Sequence, residues 1–125
     1  MTGYSGTPLP KKLGIKDGSR LLTFGGPEGF LDAIPRADGG PADVIVSFHT
    51  ERRDFEQRLP ELRVLMEPAA GLWIAWPKKA SKVPTDMTED VVREVALPTG
   101  LVDNKVCAID ETWSGLRLVI RLEHR

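Results

Sequence analysis

The chain has 125 residues, with 17 Lys and Arg against 18 Asp and Glu and a net charge of −1. A chain of this length makes one domain that buries about two-thirds of its unfolded surface, so it needs neither a disulfide nor a metal to fold. The composition, 41% hydrophobic and 28% charged, is that of a globule rather than a disordered segment, and the balanced charge argues against a dedicated nucleic-acid binder.

Cys107 is the single cysteine, which rules out an internal disulfide and fits a reducing cytoplasm. Met1–Leu13 has no apolar signal core, and no apolar run approaches the roughly 20 residues that span a bilayer. The expectation is a cytoplasmic protein with no membrane contact.

Residues 1–14 are rich in Gly, Pro, Ser and Thr and read as an extended N-terminal arm; residues 15–125 read as a single α/β domain. Arg20–Phe24 follows the turn residues Asp17-Gly18 and reads as a first strand. Gly25-Gly26-Pro27 ends it, Pro27 suits the first position of a short helix to about Ala33, and Pro35 closes that helix. A Gly/Pro loop, Arg36–Pro41, follows.

Asp43–Phe48 is a nearly continuous apolar run, as expected of a strand covered on both faces. Thr50 is placed to cap a helix whose buried face is Phe55, Leu59, Leu62 and Met66. Pro60 within it predicts two short helices or a kink. Glu67–Gly71 reads as the return turn and Leu72–Trp76 as the next buried strand.

After the basic loop Lys78–Pro84, Asp86 or Thr88 caps a helix with Val91, Val92 and Val95 as its apolar stripe; Asp86 and Glu89 have capping-box spacing. Lys105–Ile109 and Leu116–Leu122 are the last strands, joined by a connection short enough to make them antiparallel neighbours. The order predicts a three-layer α/β fold with a sheet of about five strands, mostly parallel, with an antiparallel last strand.

From Asp43 to Leu122 this order resembles the C-terminal half of the Rossmann-like fold of S-adenosylmethionine-dependent methyltransferases. The chain also resembles a family of short actinobacterial proteins, domain of unknown function 3052. That likeness rests on Gly3–Pro8, Trp76-Pro77-Lys78-Lys79, Val102–Cys107 and Glu111-Thr112-Trp113-Ser114, and it implies no activity.

The methyltransferase resemblance implies a first strand ending in an acidic residue, a turn of alternating glycines, and a carboxylate on the second strand for the ribose hydroxyls. Here the first strand runs into Thr23-Phe24-Gly25-Gly26-Pro27-Glu28-Gly29, and Phe30 to Asp43 leaves no room for the second and third strands with their helices. No bound cofactor is expected.

In open α/β sheets ligands bind beyond the carboxyl ends of the strands. The candidate ligand-binding residues there are Gly25, Gly26, His49, Lys78, Lys79, Lys82 and Trp113. Gly25 and Gly26 are either an anion-binding turn or a tight connection needing positive φ. His49 titrates near neutral pH and reads as a general base without an assignable nucleophile, or as a capping residue.

Lys78, Lys79 and Lys82 make a small anion site or a solvated basic loop. Asp110, Glu111 and Trp113 form a carboxylate pair beside an aromatic lid, or a turn. Cys107 reads as core packing, and one Cys with two His is too few for a metal cluster.

The functional expectation is a non-catalytic binding or interaction module on a degenerate methyltransferase-like scaffold, with no catalytic residues. Its partner would be another protein or a small anionic ligand. Homo-oligomerisation or the arm would cover an edge left open at Arg20–Phe24 or Asp43–Phe48. The rival expectation is a small anionic metabolite-binding protein or enzyme built on the His49, Lys78 and Lys79 edge.

Overall fold

Strands β1 (Leu21–Phe24), β2 (Ala42–Phe48), β3 (Met66–Pro77), β4 (Leu101–Ala108) and β5 (Trp113–Ile120) form one sheet in the order β1-β2-β3-β5-β4. The structure is a computed structural model, describing residues 8–38 and 40–125; residues 1–7 of the expected arm, with most of Gly3–Pro8, and Gly39 of the Arg36–Pro41 loop lie outside the described residues. β1–β2 and β2–β3 pair in parallel, whereas β3–β5 and β4–β5 pair antiparallel. The sheet is therefore mixed rather than mostly parallel, because β5 enters between β3 and β4 and turns both of its pairings antiparallel.

Two further expectations change within the sheet. Asp43–Phe48 is no edge, since β2 lies between β1 and β3. Glu67–Gly71 is no turn: β3 begins at Met66, and these residues bulge between the pairs Ala42↔Met66 and Val44↔Gly71. The helix before it ends in the C-cap residue Leu65, whose N–H donates to the Leu62 carbonyl at 3.1 Å and whose carbonyl accepts from the Ala42 N–H of β2 at 2.7 Å.

Two α-helices cover one face of the sheet. α2, counted after the one-turn helix α1 (Leu9–Lys12), runs unbroken from Arg52 to Val64 with Pro60 inside it, so the expected division does not occur. Pro60 and Glu56 are exposed, so water can take the Glu56 carbonyl that the missing N–H leaves free. Glu51, not Thr50, stands at the N-cap and offers no side-chain bond.

The start of α2 is capped from elsewhere: Asp86 Oδ1 accepts from the Arg52 N–H at 2.6 Å, and the Thr85 hydroxyl donates to the Thr50 carbonyl at 2.6 Å. Thr88 caps α3 (Glu89–Ala96), accepting from the Val91 N–H at 3.1 Å. Asp86 thus serves the neighbouring helix rather than a capping box on its own.

Alternation along the strands divides the core in two. Ile45, Leu72, Ile74, Trp76, Leu116 and Leu118 meet Phe55, Leu59 and Leu62 of α2 and Val92 and Ala96 of α3. On the other face Leu21, Val44, Val46, Phe48, Trp73 and Ala75 are covered by Leu13, with Leu9, Ile15, Phe30, Leu31 and Ile34. That cover is a short helix and loops.

It is pinned by specific bonds. The indole N–H of fully buried Trp73 donates to the Leu13 carbonyl at 3.0 Å, which fixes residues 8–14 to the sheet.

The expected helix at Pro27–Ala33 is a run of tight turns, with i→i+3 bonds from Phe30, Asp32 and Ile34. Gly29 at φ 79° and Leu31 at φ 51° are left-handed and break any helix there. Arg36 holds the run together. Its Nη1 donates to the carbonyls of Leu31 (2.8 Å) and Ile34 (2.7 Å), its Nη2 to Phe30 (2.6 Å), and its Nε to Thr23 Oγ1 (3.3 Å).

Arg36 also bridges to Leu21, and the Ala37 N–H donates to the Leu21 carbonyl at 2.8 Å. Residues 25–37 are thereby clasped to the outer edge of β1. The four bonds come from one charged group to part-buried acceptors that water can reach once it is gone, so together they contribute about 2–4 kcal/mol rather than four separate increments. Replacing Arg36 by Met keeps the stem and removes all four bonds, so urea unfolding should show a loss of about 2–4 kcal/mol; an unchanged midpoint would mean that the clasp adds nothing.

Candidate functional site

The carboxyl ends of the parallel strands bring together some of the expected residues and separate others. Gly25 and Gly26 have φ of 69° and 89°, so the turn uses the freedom of glycine. It is also filled. A Cβ on Gly26 would stand 2.6 Å from Cδ1 and Cε1 of Phe48.

Phe48 is the last residue of β2 and points to the α1 face, where its ring meets Phe30 at 4.9 Å and Trp113 at 5.0 Å, both edge-to-face. Trp113 is therefore committed to an aromatic cluster. Asp110 is committed too: its Oδ1 accepts the N–H groups of Thr112 (2.8 Å) and Trp113 (2.7 Å), making a turn rather than a carboxylate pair with Glu111.

His49 lies on the opposite face, apart from the lysines. The strand alternation of Ser47-Phe48-His49 puts Ser47 and His49 together against α2. Ser47 Oγ is 2.7 Å from His49 Nε2, and Asp54 Oδ2, in the first turn of α2, is 2.6 Å from His49 Nδ1. The carboxylate only accepts, so Nδ1 carries the proton and Nε2 accepts from the Ser47 hydroxyl.

The connectivity is that of a serine–histidine–aspartate relay. The burial is not. Ser47 is 0% and His49 3% exposed, so no substrate reaches the hydroxyl, and the chain of bonds ties the end of β2 to the start of α2. Burial holds the imidazole below its ordinary value of 6.5, against the pull of Asp54, with Arg58 adding to the lowering. Spacing had assigned His49 no nucleophile; two-residue alternation in Ser47-Phe48-His49 was the signal for Ser47, and Asp54 in the first helical turn was the other.

Lys78, Lys79 and Lys82 share one loop beyond β3. The Lys78 N–H donates to the Thr112 carbonyl at 2.7 Å, and a 3-10 turn follows over Lys79–Ser81. Ser81 Oγ donates to the Lys78 carbonyl at 2.6 Å, and Lys82 takes a left-handed conformation at φ 61°. Lys79 and Lys82 are exposed and Lys78 half-buried. None of the three forms an ion pair among the described residues.

Trp76, two residues before the loop, is buried among Met87 and the residues beneath α2 and α3. Cys107 is half-buried against the α1-face core, and burial pushes its thiol up, which disfavours the reactive thiolate. Among the described residues no group of three His, Cys, Asp or Glu side chains is placed to hold a metal, and no helix is long and apolar enough to cross a membrane. A cleft of about 620 Å³ opens at the other end of β1, between residues 15–20 and 33–37.

No family model and no curated protein matches the chain. Solved structures do. Fibrillarin from Aeropyrum pernix, solved with natively bound S-adenosyl-L-methionine, superposes over 94% of this chain and 70% of its own at a TM-score of 0.61 and 13% identity. The PH0226 protein from Pyrococcus horikoshii OT3 gives 0.50 at 8% identity over 70% of this chain and 56% of its own.

A S-adenosylmethionine-dependent methyltransferase from Aquifex aeolicus gives 0.47 at 19%, over 66% of this chain and 48% of its own. The chain spans about half the length of the last two. The class that the fold defines is an α/β, Rossmann-like, methyltransferase-like domain. At these identities the likeness extends to the fold and no further.

The relay predicts a pH dependence. His49 is held neutral in the folded protein and titrates near 6.5 when unfolded, so the unfolded state binds the extra proton and stability falls as pH drops below about 6.5. It stops falling below the depressed folded value. The lowered carboxyl of Asp43 acts only below its ordinary 3.8, outside that window. Urea midpoints measured from pH 7.5 to 5 should decline in the native chain, by at most about 1.4 kcal/mol per pH unit, and be flatter in His49→Gln. Equal slopes would assign the dependence elsewhere.

Proposed function

We propose that this chain is a non-catalytic interaction module on a reduced, three-layer methyltransferase-like scaffold, and that its crevice at the strand carboxyl ends no longer admits a nucleoside cofactor. The observation that carries this reading is the Phe48 ring seated on Gly26 and held between Phe30 and Trp113. In a doubly wound sheet a ligand enters at this end, and here an aromatic cluster occupies the space beside the glycine turn.

The surface we assign to the partner is the loop of Lys78, Lys79 and Lys82, fixed to the turn that carries Trp113 and without ion pairs among the described residues. Its complement is an acidic patch on another protein. Membership in domain-of-unknown-function family 3052 belongs to the same reading. Two of the strings behind it are neighbours in space, with Trp76 opposite Ser114 and Pro77 opposite Trp113. The half-buried thiol of Cys107 suits a bacterial cytoplasm. The outer edge of β4, bulged between Asp103 and Lys105, is where a second copy would pair.

A second reading, a small anionic metabolite on the same lysines, draws on the same ammonium groups. It does not draw on His49, which lies buried on the α2 face.

Thermal unfolding in S-adenosylmethionine, S-adenosylhomocysteine and adenosine, none of which carries a phosphate, tests the first claim. The expected result is no saturable shift, where a ligand at about 100 times its dissociation constant would raise the melting temperature by several degrees. A saturable rise with S-adenosylmethionine would overturn it. For the second claim, reversing Lys78, Lys79 and Lys82 to Glu should leave the melting temperature within about 2 °C and abolish binding of the native partner in cross-linking; retained cross-links would move the interface elsewhere.

A further inference from the structure

Arg117 lies on β5, half-buried, on the face that α1 covers. Its guanidinium occupies the space a side chain on Gly71 would take: a Cβ there would stand 2.5 Å from Nε and 2.9 Å from Cζ and Nη2. Gly71 has no left-handed backbone to explain it, so the glycine here is a floor for the arginine.

Among the described residues the guanidinium donates no hydrogen bond and pairs with no carboxylate. Its surroundings are cationic. Lys105 stands directly opposite it on β4, an arrangement of like charges that costs stability in a sheet. Lys105 Nζ donates to the Lys12 carbonyl at 3.1 Å. Arg125 donates through Nε to the Ile120 carbonyl at 2.9 Å, which leaves its two terminal nitrogens unused. Burial and Arg125 both lower the pKa of Arg117, and no acid acts in the other direction.

Five donors in a fixed fork on a glycine floor, flanked by two more cations, match an oxyanion. A carboxylate would offset one of the three charges. A phosphate near −2 offsets two and presents three acceptor oxygens. We infer that Arg117, flanked by Lys105 and Arg125 above Gly71, anchors a binding site for a phosphate group on the sheet face opposite α2 and α3. The site is separate from the Lys78 loop, which lies beyond the carboxyl end of β3.

The test is thermal unfolding with phosphorus NMR in inorganic phosphate, at constant ionic strength set with sodium chloride. A parallel series in adenosine monophosphate separates free from organic phosphate, the tighter binder naming the source. The native chain should respond saturably. Arg117→Met, which keeps the stem, should bind at least roughly tenfold more weakly and should melt above the native chain without phosphate, because an unpaired half-buried charge has gone.

Arg125→Gln should weaken binding a few-fold, and Lys78→Ala/Lys79→Ala should leave it unchanged. The site is overturned if neither probe binds saturably, if Arg117→Met binds like the native chain, or if it melts lower without phosphate. It is overturned equally if binding follows the Lys78 and Lys79 substitutions.

Discussion

A phenylalanine ring lies where any side chain at Gly26 would have to go, and much of the molecule is arranged around that contact. Phe48 ends β2, so its direction is set by a strand buried on both faces. Phe30 and Trp113 reach it from opposite sides in sequence, one from the turns after β1 and the other from the start of β5. Burying a ring of this size contributes about 2–3 kcal/mol, and the edge-to-face contacts add about 0.5–1.5 kcal/mol each. The same cluster stands at the end of the sheet where open α/β folds take their ligands.

The two faces of the sheet are finished by different means. α2 and α3 cover one with regular helix, and Asp86, Thr85 and Thr88 lock their starts. The other is finished by a single helical turn and loops, held by Trp73 on the Leu13 carbonyl and by Arg36 on three carbonyls of the run it follows. Arg36 does in thirteen residues what an added strand and helix would otherwise do at the edge of β1. An arginine suits this because it is always charged and carries five donors, so several carbonyls converge on one side chain.

The succession of strands along the chain was largely legible because β2, β3 and β5 are apolar runs, but their arrangement in the sheet was not, since nothing local places β5 between β3 and β4. Bounds were less legible where tertiary contacts overrode local signals. Glu67–Gly71 has the composition of a turn and is absorbed into β3 as a bulge, and Pro60 sits in an unbroken helix because its carbonyl partner faces water.

The candidate site shows the same division. The glycine turn, the lysine loop and Trp113 were visible as residue types. That Phe48 fills the turn was not, because the contact joins residues 22 positions apart. Ser47 and Asp54 were in the sequence beside His49, yet their bonds depend on how α2 docks on β2. Arg117 carried no signal at all until Gly71 was found beneath it.

Nuclear Overhauser measurement between the Phe48 ring protons and the Gly26 Hα protons addresses the filled crevice most directly. Strong cross-peaks, unchanged in position and intensity when S-adenosylmethionine is added in excess, are the predicted result. Absent cross-peaks, or cross-peaks that vanish as the cofactor is titrated in, would mean that the ring leaves the turn and that the crevice opens to a ligand.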